Sequence, residues 1–224
     1  NIKGSISLIG SSIDDLTFKK YTETLNGTDN IILLNPRNVE NGYFVETGWV
    51  TNNKNIDLPN SKTLWKIEGN TKLTEKNPIK LIWNNNQGIK FEKKISIDNK
   101  FLFTIDQNIT NNTNKTYNFY PYGQIIRNTA PEVTNFYILH EGLIGVFNDQ
   151  LVEEDYEDIE ENKYSVNAQS GWTGITDKFW IVTMIPEKNK EFRSDFIYKN
   201  KFKANFIETK SIEIRANETK SNQI

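Results

Sequence analysis

The stretch from Ile89 to Ile109 constrains the fold more than any other part of the chain. Ile89, Phe91, Ile95 and Ile97 alternate with polar residues, a period of two that gathers the apolar set on one face. Asp98-Asn99-Lys100 supplies turn chemistry, and Phe101, Phe103 and Ile105 then resume the alternation, with Ile109 further along the same face. The pattern predicts an antiparallel hairpin whose arms are nearer ten residues than the usual five or six. Arms of that length belong to a large, extended sandwich.

Proline positions divide the rest into strands. Asn35-Pro36, Leu58-Pro59-Asn60, Asn77-Pro78 and Ala130-Pro131 each place a fixed-φ residue where a central strand does not tolerate one. Between them lie the strand-like segments 43–50, 64–67 and 80–83. Further strands are expected near 117–127, 133–139, 143–147, 164–169, 178–185, 194–199, 202–208 and 211–216. The run Phe179-Trp180-Ile181-Val182-Thr183-Met184-Ile185, ended by Pro186, reads as a buried strand. No segment keeps apolar residues at i, i+3, i+4 and i+7 for three turns, so helix is confined to short candidates at 12–19 and 153–161. With no repeat and no flexible linker, residues 1–224 are expected to form one all-β sandwich domain with little helix. A chain of 224 residues buries enough surface to fold without a staple, and it has no cysteine to make one.

Composition excludes several functions. The formal charge of −2, with basic residues scattered along strands, gives no phosphate-binding footprint, so nucleic acid is not an expected partner. No apolar run approaches the roughly 20 residues that cross a bilayer. Asn1 begins almost directly in strand-like sequence without an initiator methionine, so the chain is expected to be a piece of something longer. The Asn-x-Thr sequons, such as Asn26-Gly27-Thr28 and Asn108-Ile109-Thr110, are expected by chance in so asparagine-rich a chain.

No catalytic constellation is legible. The one histidine, His140, stands beside Glu141, but neighbours along a strand point to opposite faces and do not pair across one site. A zinc site lacks its three or four ligands, a serine hydrolase its Gly-x-Ser-x-Gly elbow, and no glycine-rich phosphate loop is present. No cofactor or metal is expected. The acidic run 153–161 carries no turn glycine and reads as a solvated loop rather than a calcium site. In Tyr117-Asn118-Phe119-Tyr120-Pro121-Tyr122-Gly123, Tyr117 and Phe119 serve the core while Tyr120 and Tyr122 face the other way. Those two tyrosines could form a platform for a sugar or peptide, or be covered by a neighbouring loop.

Two blocks carry a resemblance. The first is Gly4-Ser5-Ile6-Ser7-Leu8-Ile9-Gly10-Ser11-Ser12-Ile13-Asp14-Asp15-Leu16-Thr17-Phe18-Lys19-Lys20-Tyr21. The second is Gly171-Trp172-Thr173-Gly174-Ile175-Thr176-Asp177-Lys178-Phe179-Trp180, followed by Ile185-Pro186. Between them Leu139-His140-Glu141-Gly142-Leu143-Ile144-Gly145-Val146-Phe147 and an acidic turn fall in the expected order. In this sequence and spacing the blocks resemble the periplasmic domain of YidC-type membrane-protein insertases of Gram-negative bacteria.

The resemblance implies a β-supersandwich with galactose-mutarotase-like architecture, placed between the first and second spans of an inner-membrane protein. It also implies a non-catalytic role beside the Sec translocon's accessory subunits and nascent membrane proteins. The insertion core of the family lies in the membrane, outside these residues. Within the second block Gly171 and Gly174 are expected to hold backbone conformations that other residues resist. Trp172, Phe179 and Trp180 are expected to bury large area, Asp177 and Lys178 to form a local cap or ion pair, and Pro186 to end the strand. Two other readings stay open: a carbohydrate- or peptide-binding module using Tyr120 and Tyr122, and an aldose epimerase using His140.

Overall fold

The computed structural model describes residues 1–131 and 140–224; the strand expected near 133–139 lies outside the described residues. Alternation of apolar and polar residues is what forms the strands, and three antiparallel sheets result. The largest runs through β1 (Ile2–Ile6), β2 (Ile13–Thr22), β4 (Tyr43–Val50), β9 (Tyr117–Arg127), β16 (Phe202–Glu208), β15 (Phe192–Tyr198) and β12 (Tyr164–Ala168). β3 (Asn30–Leu34) pairs with β2, and β17 (Ile212–Ile214) pairs with β9. A second sheet orders β18 (Thr219–Gln223), β8 (Phe103–Asn111), β7 (Ile89–Ile97), β6 (Ile79–Asn84) and β5 (Lys66–Glu68). The third orders β11 (Gln150–Asp155), β10 (Gly142–Phe147), β13 (Gly171–Asp177) and β14 (Trp180–Met184). The single described helix is α1 (Tyr156–Glu161).

The predicted hairpin is β7–β8, nine residues in each arm, paired from Ile89↔Asn111 to Ile97↔Phe103. Ile89, Phe91, Ile95, Ile105 and Ile109 are all buried, as the alternation requires. β9 is the spine of the large sheet. Its Phe119, Pro121, Gly123 and Ile125 face the core while Tyr120, Tyr122 and Gln124 face away. Pro121 sits in the middle of this central strand, where a missing N–H is usually costly. It is tolerated because it falls in the gap between two ladders: β16 pairs as far as Tyr122, and β17 begins at Phe119.

Three expectations are corrected. Within 12–19, residues 13–19 belong to strand β2 rather than to a helix or turn; Ile13, Asp14, Leu16, Thr17 and Phe18 are all buried, so both faces are covered and the period of two is erased. The acidic run is not a solvated loop: it closes β11 and forms α1, with Tyr156 and Ile159 buried beneath the charges. β14 is an edge strand rather than a buried one; Ile181 is exposed on it and Ile185 just past its end.

Candidate functional site

A concavity opens between β1–β2 of the large sheet and the β5–β8 sheet. Both β1 and β5 are edge strands, so the two sheets diverge there and leave a cleft of about 800 Å³. Ile2, Leu16, Ile67, Ile79, Ile97 and Phe103 line it, and Lys3, Lys19, Lys72 and Lys76 stand among its polar residues. An apolar floor, lysines and two strand edges with open backbone groups suit an extended apolar segment better than a small polar substrate. Among the described residues no cluster of His, Cys, Asp and Glu fit to hold a metal is present.

Tyr120 and Tyr122 lie on the outer face of β9, as expected, but they differ in surroundings. Tyr122 is pressed over Gly48, where an added Cβ would stand 2.8 Å from its ring, and burial pushes its hydroxyl up to about 12. Tyr120 is half-buried, and its hydroxyl accepts a hydrogen bond from Asn52 Nδ2 at 3.3 Å. Beyond Tyr122 the same face carries a polar group that sequence reasoning missed. Glu46 is paired with Arg37 and accepts from Gln124 Nε2 at 2.7 Å. Arg37 also lies over the Phe44 ring.

The 171–186 block is architectural in its details. Gly171 has φ +130, and a Cβ there would strike the Val146 carbonyl across the β10–β13 ladder. At Gly174 the constraint is close approach, with Val182 O 2.7 Å from the site of an added Cβ. Asp177 pairs with Arg127 of β9 and accepts from the Tyr156 hydroxyl of α1 at 2.9 Å. Its carboxyl is raised above the usual range by burial, although the Arg127 charge works against that. Lys178 donates its backbone N–H to Glu141 at 2.9 Å, and its ammonium lies over the Phe179 ring. Trp172 is half-buried, and so is Trp180, stacked on Phe18 with ring centroids 4.2 Å apart. Phe179 overturns its expectation: it is 83% exposed, at φ +72 in the β13–β14 turn. Pro186 is buried just beyond the end of β14.

The His140 ring is held by two neighbours. Its Nδ1 stands 3.1 Å from Asp155 Oδ1 and its Nε2 is 3.3 Å from the Leu143 carbonyl, so both ring nitrogens are engaged. It is not among the residues lining the cleft. As the sequence implies, it does not pair with Glu141, whose carboxylate receives the Lys178 N–H.

The family described as the YidC periplasmic domain matches residues 1–224. This chain belongs to it. The YidC insertase of Pelagibacter ubique is 57% identical over 217 residues, which is 97% of this chain and 39% of that protein. That of Brucella melitensis is 41% identical over 201 residues, 88% of this chain and 33% of that protein. The chain therefore spans well under half the length of these YidC relatives. Among solved structures, a galactose mutarotase related enzyme from Lactobacillus acidophilus superposes with a TM-score of 0.60, covering 99% of this chain and 92% of the other. At 10% identity that likeness establishes the sandwich fold alone.

Proposed function

We propose that this YidC periplasmic domain is a non-catalytic part of an inner-membrane insertase, assisting insertion, folding and assembly of membrane proteins with or without the Sec translocon. The observation that carries the reading is the family match along the whole chain, together with 57% identity to a membrane protein insertase. The domain sits in the periplasm between the first and second membrane spans. Its partners are accessory subunits of the Sec translocon and nascent membrane proteins. The apolar cleft between β1–β2 and β5–β8 is where an emerging apolar segment is held, its unpaired strand edges offering main-chain hydrogen bonds. The half-exposed Tyr120 is a partner contact, whereas Tyr122, Gly171, Trp172, Gly174, Asp177, Trp180 and Pro186 serve packing. The absence of catalysis is supported by the engaged ring of the chain's one histidine.

The test is complementation. The full-length gene containing this domain is expressed in a Gram-negative strain depleted of its own insertase, with growth and protease protection of newly made membrane proteins as readouts. Rescue of both is expected. Continued accumulation of uninserted substrate, with the protein present at normal level, overturns the proposal.

A further inference from the structure

Three chain reversals meet at one end of the sandwich on a single aromatic root. The Phe18 ring stacks on Trp180, and its centroid lies 5.6 Å from Tyr21 and 5.7 Å from Phe101. Tyr21 in turn touches Trp180 at 5.0 Å. Phe18 lies within β2, whereas Tyr21, Phe101 and Trp180 stand at or beside turns whose tips carry exposed apolar side chains. Leu25 of the 23–29 loop is fully exposed, Leu102 of the 98–102 turn is 53% exposed, and Phe179, 83% exposed, is the most exposed aromatic among the described residues. Phe101 and Phe179 both hold positive φ, a conformation disfavoured for residues with a Cβ, and both are exposed. Burial in this chain therefore does not account for them.

Two further observations say what this end meets. Both ends of the chain lie here: the Asn1 carbonyl accepts from Lys19 N–H at 2.9 Å, next to Phe18, and Ile224 exchanges backbone hydrogen bonds with Ile105, two residues past the start of β8. Around the apolar tips stand exposed Lys19, Lys20 and Lys100. Glu23, Asp29 and Asp98 are nearby, but Asp98 Oδ1 is turned inward to accept the Lys100 and Leu102 N–H groups. Exposed Tyr21, Phe101 and Phe179 with lysines beside them match the composition of segments that sit at a bilayer's headgroup level.

We propose that this end of the sandwich docks on the surface of the phospholipid bilayer, with Leu25, Leu102 and Phe179 entering the headgroup–acyl boundary and Lys19, Lys20 and Lys100 meeting lipid phosphates. The inference rests on the reading of the chain as a domain tethered to the inner membrane. The cleft, lined by Asn1 and Phe101, reaches the same end, so docking brings its mouth to the membrane.

The test is flotation of chain 1–224 with vesicles of equal parts phosphatidylethanolamine and phosphatidylglycerol, and with vesicles of phosphatidylcholine alone. The native chain floats with the anionic vesicles and is released as salt rises. Leu102→Ser with Phe179→Ser lowers partitioning about tenfold or more. Replacing Lys19, Lys20 and Lys100 by Gln lowers it about fivefold per lysine on the anionic vesicles. Leu151→Ser, an exposed leucine on β11, leaves it unchanged. A native chain that stays in the dense fraction, or a double variant that floats like the native chain, overturns docking. A full-length gene that rescues an insertase-depleted strain while chain 1–224 ignores vesicles defeats this inference alone. Tip-dependent flotation of a chain whose full-length gene fails to rescue defeats only the insertase reading.

Discussion

The ammonium group of Lys93 hangs from the middle of an apolar strand face, out of reach of solvent. It donates to Ser11 Oγ and to the Thr47 carbonyl, each at 2.6 Å, and lies over the Trp65 ring. Burial lowers it from 10.5 to about 7, with the Glu46 carboxylate pulling the other way. In register beside it run Gln107 and Asn222, both buried, and Asn222 Nδ2 bridges Glu208 at 2.6 Å and Glu187 at 2.8 Å. Burial raises Glu208 from 4.5 to about 7, with the Glu187 charge adding to the rise and Lys190 opposing it. The two groups bend stability in opposite directions. Between 4.5 and about 7 the fold holds a proton on Glu208 that the unfolded chain has released, so stability falls as pH rises. Between about 7 and 10.5 the unfolded chain holds a proton on Lys93 that the fold lacks, so stability rises. Together they place a dip near neutrality. Lys93→Met is expected to abolish the alkaline rise and keep the acid-side fall, measured by urea unfolding across a pH series. A variant whose profile parallels the native one sinks the assignment.

At the scale of elements, Asp177 is the joint between three of them. It ends β13, pairs with Arg127 at the end of β9 and receives the hydroxyl of Tyr156 at the start of α1. Arg127 also stacks over Tyr43 of β4, whose hydroxyl donates to the Ile175 carbonyl at 3.0 Å. Arg127→Ala strands a largely buried carboxylate and is expected to cost about 3 kcal/mol. Tyr156→Phe removes one hydrogen bond and is expected to cost about 1 kcal/mol. Denaturant midpoints check both, and an Arg127→Ala loss below about 0.5 kcal/mol refutes the joint. The residues of this joint were partly legible. Asp177 stood out through the second block, but its partners lie 50 and 21 positions away, and no local pattern pointed to either. The same limit explains β2 and Phe179. A strand buried on both faces loses its alternation, and a phenylalanine at a turn tip looks in sequence like one in a core. Lys93 could have been noticed, because it interrupts an apolar face between Phe91 and Ile95. The cleft could not: its walls come from residues 1–19, 67–79 and 97–103, brought together only by the fold.

For the whole molecule, most of the buried apolar residues form one cluster that draws on all three sheets, from Ile13 and Val45 through Phe91 and Ile109 to Leu143 and Ile175. A continuous core of this kind predicts that residues 1–224 unfold as one unit. Thermal unfolding followed by far-ultraviolet circular dichroism and by tryptophan fluorescence is expected to give coincident transitions; two separated midpoints would divide the chain into domains. The order of assembly follows from where the last strand goes. β18 closes the open edge of β8 by setting Thr219 against Thr110 and Gln223 against Asp106. Pairings that span so much of the chain form slowly and late. Without β18 the outer edge of β8 stays open, so this sheet is unfinished, and its backbone groups free to meet another strand, until residues 219–223 are in place.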